Sequence, residues 1–478
     1  MSTFSGLSVG LSSLYAQRRG LELTGHNIAN ANTEGYSRQR LRLEADGGPL
    51  VPAIHSMWNG AGNGVTTADV QRLRDVFLES RSVQERGTDA GLRGGQVLLS
   101  RVEAILSEPG DSGIQAQLAD FWAGFDDVAN QPDNLAARSQ LLERAQTLAS
   151  GLNGASQRLE QQWSASGEQL AATVQDINAT AASVAEYNRA IVNATRAGLS
   201  PNDLTDQRDL MVQRLGELAG VTVRAGDAGS VDVYLGGTAL VRGERAERLA
   251  VTGPADMPQP QIDPAGPTPT PLVGVAWEKD GYPVVTGGSA GGLVQGLNDT
   301  LPRYRDKLSV LSGTLLTQVN AVHTEGFDLA GARGTRFFVQ DGFGRLTVSI
   351  TDPAKVAASA QDGTYDPATD SITPNRDGGN ASRLADVSGA KGGPDELYRQ
   401  IVVSLGVEAQ TSNRRVDIQT NILAQLDAAR EAEAGVNLDE EMTSMLAYQR
   451  AYEGAARFVS AVDQMLDTLI NRVGIVGR

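Results

Sequence analysis

Side chains able to do chemistry are few in this sequence and poorly spaced for catalysis. Histidine occurs three times, at His26, His55 and His323, and imidazoles so far apart make no local metal-binding motif. Cysteine is absent, which removes disulfides, thiolate metal sites and cysteine nucleophiles together. The run Gly60-Ala61-Gly62-Asn63-Gly64 would need a strand-to-helix context to cradle a phosphate and has none; no Walker-type loop occurs elsewhere. Acid–base work requires two carboxylates that face each other. Asp126-Asp127 and Glu440-Glu441 are sequence neighbours, which on a helix splay onto different faces. The cluster Asp206-Gln207-Arg208-Asp209 opens a helical stretch, where carboxylates answer the helix dipole. His26 reads as a surface or interface residue. No catalytic, cofactor or metal site is expected, and no enzyme.

The elements that carry these residues are mostly helices. The chain has 478 residues, a net charge of −16 and 5% aromatic residues. That length allows two to four domains, and the acidity argues against nucleic acid as a partner. No apolar run approaches the roughly 20 residues of a membrane span, and the first residues lack the basic and apolar blocks of a cleaved signal peptide. Near the start, Leu7, Leu14, Leu21 and Ile28 recur every seven residues, with Phe4 and Leu11 on the offset row and Arg18 and Gly25 breaking it. Near the end, Leu438, Met445, Tyr452, Val459, Leu466 and Val473 form one such row and Tyr448, Ala455, Val462 and Leu469 the other. Glu441 is the exception in that second row. Such narrow stripes are the mark of a coiled-coil seam.

Between the ends, 69–107 (Val70, Leu73, Phe77), 113–150 (interrupted near Pro132) and Trp163, Leu170, Ile177, Val184, Ile191 also read as helix. Strand-like text begins near Val221 and includes Val231–Leu235, Val273–Trp277, Phe337–Val339 and Leu346–Ile350. Seven prolines between Pro254 and Pro271 exclude a helix or central strand there. The fold class expected is therefore α+β and multidomain: an elongated helical bundle or coiled-coil body built from both ends of the chain, with a central β-rich insertion. The divisions are 1–35, an N-terminal coiled-coil assembly segment; 36–220, helical body; 221–289, β-rich; 290–324, helical body; 325–393, β- and loop-rich; 394–437, helical body; and 438–478, a C-terminal coiled-coil assembly segment.

The stretch from Gly25 to Gln39, with Asn27-Ile28-Ala29-Asn30 and Thr33-Glu34-Gly35-Tyr36, resembles the N-terminal signature of bacterial flagellar axial proteins. Its continuation Ser37-Arg38-Gln39 is similar, more narrowly, to the hook-associated members of that family, which join hook to filament. Val70–Leu78, Asn202–Asp209, Val319–Leu329, Val436–Glu441 and Tyr448–Tyr452 agree, so the likeness covers nearly all of the chain except its variable middle. Glu34 departs from it, since the family often has proline there; the local turn can form without it.

The resemblance implies a secreted structural protein of the extracellular flagellum, placed at the hook–filament junction and exported by the flagellar type III apparatus, without cofactor or catalysis. The partners implied are copies of itself in a ring or helical lattice, the hook subunit, a second junction protein or flagellin, and an export chaperone on the C-terminal helix. A hook or rod subunit is the alternative within that class, and a secreted adhesin or enzyme active in 221–391 the alternative outside it. Interface residues expected are Leu7, Leu11, Leu14, Leu21 and Ile28 facing Leu438, Met445, Tyr452, Val459 and Leu466, with Asn27, Asn30, Gly35 and Tyr36 shaping the turn after the first helix. Isolated terminal helices with so thin a stripe are marginal, so both ends are expected to fold on assembly. A heptad seam does not name its partner, however, and a hairpin within one chain satisfies it equally.

Overall fold

The computed structural model describes residues 3–46, 62, 64–108, 110, 113–259, 272–341, 344–368, 370–373 and 375–471. His55, Gly60, Ala61, Asn63, the proline-rich residues 260–271, Val473 and the side chains of Phe4 and Leu469 lie outside the described residues.

The chain opens with α1 (Thr3–Ala29), strands β1 (Gln39–Asp46) and β2 (Gly64–Arg72), then α2 (Val76–Leu106), α3 (Ile114–Asn130), α4 (Leu135–Arg196) and α5 (Asn202–Ala219). Seven short strands follow: β3 (Thr222–Ala225), β4 (Val231–Leu235), β5 (Thr238–Arg242), β6 (Arg245–Ala246), β7 (Leu249–Thr252), β8 (Gly274–Trp277) and β9 (Pro283–Val284). Helices α6 (Gly288–Gln295) and α7 (Leu301–His323) precede two small hairpins, β10 (Phe338–Gln340) with β11 (Leu346–Val348) and β12 (Thr364–Asp366) with β13 (Ser371–Thr373). Helices α8 (Gly379–Ala385), α9 (Pro394–Ala434) and α10 (Leu438–Asn471) complete it. Helical ends around mixed β and helical material are the α+β order read from the sequence.

These elements form two compact units, one of Met1–Arg86, Asn178–Glu247 and Thr420–Arg478, the other of Gly87–Ile177 and Arg248–Gln419. The second unit holds the larger apolar core. Leu118, Phe121, Phe125 and Val128 of α3 recur at helical spacing and are fully buried, as are Leu141, Leu148, Leu152 and Leu159 of α4 and Leu308, Leu311, Leu315 and Val319 of α7. Phe121, Phe125, Phe337 and Phe338 form a buried cluster in which Phe337 and Phe338 meet edge-on at 4.9 Å, a geometry that suits ring quadrupoles. His323 is also wholly buried: Nδ1 donates to the Thr335 carbonyl at 2.7 Å and Nε2 accepts from the Ala357 N–H at 2.9 Å. Burial pushes its pKa down to about 4, so it is a neutral packing residue.

In the first unit β3, β4, β5 and β6 make an antiparallel sheet. Asn188 of α4 fastens one end of it, donating to the carbonyls of Val231 at the start of β4 and Gly243 after β5 at 2.8 and 2.7 Å. The β1–β2 hairpin of this unit stands where the sequence read as helix. Val70 pairs with Leu41 in β2 and Leu73 lies in a connection; the helix begins at Val76, where Asp75 Oδ1 caps the Phe77 N–H at 2.7 Å. The reason lies in the spacing: Val70, Leu73 and Phe77 stand three and four residues apart, as on a helix face. Strand β1 alternates Leu41, Leu43 and Ala45 with charged residues over too short and too exposed a run, of which only Gln39 and Leu41 are buried.

Candidate functional site

Two features of the first unit converge, a pair of terminal helices and the polar junction at its base. Helices α1 and α10 run antiparallel: Gly6 lies beside Val462, Gly10 beside Val459 and Phe458, and Gly20 beside Tyr448, while Asn27 meets Glu441. A Cβ at Gly10 would stand 2.6 Å from a Val459 methyl, and one at Gly20 would stand 2.6 Å from the Tyr448 ring. Glycine is what lets the backbones come this close. The sequence allowed this pairing either within a chain or between copies; here it is made within the chain.

The leucine row of α1 sits to one side of these glycines. Leu7, Leu14, Leu21 and Ile28 are half-buried and Leu11 is exposed. On α10, Met445, Val459 and Leu466 are half-buried, whereas Leu438 and Tyr452 are exposed. Tyr15, Met442, Leu446, Phe458 and Met465 add further exposed apolar side chains to the same two helices.

The motif after α1 builds the junction. The Tyr36 N–H reaches the Thr33 carbonyl at 3.2 Å with Gly35 at φ +78°. A turn with positive φ at its third position needs glycine there and tolerates many residues, Glu34 included, at the second. Asn30 donates to the His26 carbonyl at 3.0 Å and accepts from the Thr33 hydroxyl at 3.1 Å. His26 is exposed, edge-on to Tyr36 at 5.6 Å. Asn27, 1% exposed, is the hub: it donates to the Gln39 carbonyl (2.9 Å) and to Glu441 Oε2 (3.0 Å), and accepts from the Gln39 N–H (3.1 Å) and the Tyr36 hydroxyl (2.7 Å).

Each residue of Ser37-Arg38-Gln39 then takes a different partner. The Ser37 N–H donates to Asp206 (3.2 Å), the Gln39 amide to Asp203 (3.2 Å), and the Arg38 guanidinium to Glu441 and Glu440 (both 2.7 Å). Glu440 and Glu441 do splay, one exposed and one 3% exposed, yet both reach Arg38. Deeper in, Arg72 donates to Asp206 (2.7 Å) and Asp209 (3.1 Å), Arg74 to Asp209 and Glu79, and Arg430 to both Glu79 oxygens (3.0 Å each). Asp206 and Asp209 thus lie in the second turn of α5 as ion-pair partners, the first buried and the second half-buried, not in the first turn as dipole caps.

Burial opposes charge throughout this cluster, and the partners decide the outcome. Burial would raise Asp209, but Arg74, Arg208 and Arg72 hold it below the ordinary carboxylate range; Arg74 and Arg430 do the same for Glu79. At Asp206 burial prevails over Arg72 and Ser37, and its pKa is raised. Burial, with Asp203, Asp206 and Glu441 nearby, pushes the Tyr36 hydroxyl far above its usual value. These are compensated structural charges. In the sequence Arg72, Arg74 and Arg430 have no site role, and Glu441 stands out only as a neighbour of Glu440 and as the exception in an apolar row. The signal was there for one: a carboxylate standing in a row of apolar seam positions requires a partner.

Among the described residues no group of three or more metal-ligating side chains occurs, and no helix is long and apolar enough to cross a membrane. A cavity of about 760 Å³ in the second unit is lined by Trp163, Leu297, Val310 and Ile401, with cations at its edge. Arg303 pairs with Glu408 (2.8 Å), Arg305 with Asp306 (2.6 Å), and Lys307 donates to Ser404 (2.8 Å), so these groups are committed to structure.

Paired terminal helices closed by a polar junction are the features that comparison with known proteins places in the class of flagellar axial proteins. Residues 7–36 match the family described as flagella basal body rod protein, 432–472 the flagellar basal body rod FlgEFG protein C-terminal family, and 99–338 the flagellar hook-associated protein FlgK helical domain. The chain is 30% identical to flagellar hook-associated protein 1 of Bacillus subtilis (strain 168), with 100% of both chains covered. It is 25% identical to flagellar hook-associated protein 1 of Salmonella typhimurium, over 96% of this chain and 98% of that one. The solved flagellar hook junction protein FlgK from Burkholderia pseudomallei shares its fold, with a TM-score of 0.60 at 18% identity over 74% of this chain and 99% of that chain. The chain belongs to the flagellar hook-associated protein 1 family. It is a structural protein of the bacterial flagellum.

Proposed function

We infer that this chain polymerises at the hook–filament junction and couples hook to filament through its terminal helix pair. The observation that supports this most is the apolar surface that the pair leaves open: Leu11, Tyr15, Leu438, Met442, Leu446, Tyr452 and Phe458 are all exposed on helices already packed against each other. Leu438, Met442 and Leu446 follow at four-residue steps and share one face of α10. An exposed apolar face marks an interaction site, and a heterologous, head-to-tail contact extends into a ring or helical lattice. Copies of the chain, the hook subunit and a second junction protein or flagellin are the partners, with an export chaperone covering α10 before assembly. Ordering of both ends on assembly fits the thin burial of α10, in which only Glu441 and Val462 are buried among its described side chains. Deleting the gene tests the coupling role: hooks should remain without filaments and flagellin should escape unpolymerised. Filaments of normal length on the deletion strain would contradict it.

A further inference from the structure

We propose that Glu441 is the register key of the terminal helix pair: its buried carboxylate, held by Asn27 and Arg38, selects one antiparallel alignment of α1 and α10 over those displaced by seven residues. A seam with a seven-residue repeat matches itself again after each such shift, and α10 repeats this way from Leu438 to Leu466. Gly6 to Gly20 spans the same number of residues as Tyr448 to Val462, and Asn27 and Glu441 continue that step, so the observed contacts all belong to one register. If α10 slid so that Gly6 faced Ala455, Glu441 would lie opposite Gly20, which has no side-chain donor, and Asn27 would face Ala434, before the start of α10.

Arg38 cannot follow such a slide freely. Its backbone N–H is tied to the Ala434 carbonyl at 2.9 Å and its carbonyl to the Leu73 N–H at 2.8 Å. Displacement would therefore leave a buried carboxylate without its donors, the arrangement that proteins tolerate least. Polar residues at single seam positions are a known means of fixing register at some cost in stability. The Tyr448 ring over Gly20 is a second feature that a shift would disturb; it acts by shape and is separable by mutation. The importance of register rests on the assembly role inferred above. Register itself is measured on the purified chain, so its failure and the failure of that role are distinguishable.

The chain has no cysteine, so introduced pairs report without background. A Cβ at Gly6 would lie 3.5 Å from Val462 Cγ2, which makes Gly6→Cys with Val462→Cys the aligned pair and Gly6→Cys with Ala455→Cys the displaced one. Oxidised in dilute solution, the full chain should form the aligned disulfide at least about tenfold more than the displaced one, the factor a preference of ~1.4 kcal/mol gives. Glu441→Leu should bring the two yields within about threefold, and Asn27→Leu should do the same by removing the donor instead. Tyr448→Leu should keep the tenfold preference. Undiminished selectivity in Glu441→Leu and Asn27→Leu would overturn the proposal. Loss of both disulfides in those variants would also overturn it, because the carboxylate would then hold the pair together without choosing its alignment.

Discussion

Helices α4 and α10 carry the same kind of pattern and have different fates. In α4 the row Trp163, Leu170, Ile177, Val184 and Ile191 is buried throughout; in α10 the row Leu438, Met445, Tyr452, Val459 and Leu466 is exposed or half-buried along its whole length. Periodicity announces that a face will be covered, not by what. The first helix is finished inside the chain. The second packs on the glycines of α1, is held at its base by Asn27 and Arg38, and leaves the rest of its surface open. That is the arrangement that the assembly role proposed above requires.

The largest effect that can sharpen this contrast is loss of a core ring. Phe121→Ala, at the centre of the buried cluster, should cost about 4 kcal/mol. Urea unfolding followed by tryptophan fluorescence is the appropriate measurement, since Trp122, Trp163 and Trp277 are all buried in that unit. A change below about 1 kcal/mol would mean that the cluster can collapse around the hole. Next comes the junction. Asp209→Asn leaves Arg72, Arg74 and Arg208 without their common carboxylate, and should cost about 3 kcal/mol, read as faster hydrogen exchange in β2 and α5.

Acid should separate the two units. His323 is held neutral, with its pKa lowered to about 4 from an unfolded value near 6.5. A depressed folded value means that its stabilisation is complete above pH 6.5 and fades as the pH falls toward 4, by about 3 kcal/mol in total. Asp209 and Glu79 are also depressed, but their contribution persists until the pH drops below the ordinary carboxylate range, about 4. Asp206 is raised and works the other way, favouring the folded junction as the pH falls. Urea midpoints at pH 7 and pH 5 should therefore fall for the tryptophan signal and hold for the junction. Equal loss in both would refute the assignment to His323.

The smallest expected effect is on the open face. Met442→Ser and Leu446→Ser replace exposed side chains and should change monomer stability by no more than about 0.5 kcal/mol each, within the error of the same titration.

The helical ends, the seven-residue rows and five of the central strands (β3, β4, β8, β10 and β11) were legible because they rest on apolar period. The β1–β2 hairpin was not, because its faces are largely exposed and its residues polar. The junction was legible only in part. Asn27, Gly35 and Ser37-Arg38-Gln39 stood out as a motif, yet the side chains outside it that they bond lie 163 to 414 residues away, and nothing local in Asp206, Arg430 or Glu441 tells which guanidinium or amide it meets. Glu441 was the instructive case. As a letter it interrupts a hydrophobic row; in the structure it is the one side chain of that row which both Asn27 and Arg38 hold.

The central claim is that α10 keeps an apolar face for other subunits. Its most direct test is to return Leu438→Ser, Met442→Ser, Leu446→Ser to a strain lacking the gene, and to score filaments by electron microscopy beside the urea midpoint of the purified variant. The account predicts a monomer as stable as the parent and cells bearing hooks without filaments. Normal filaments on a variant of unchanged stability would contradict it.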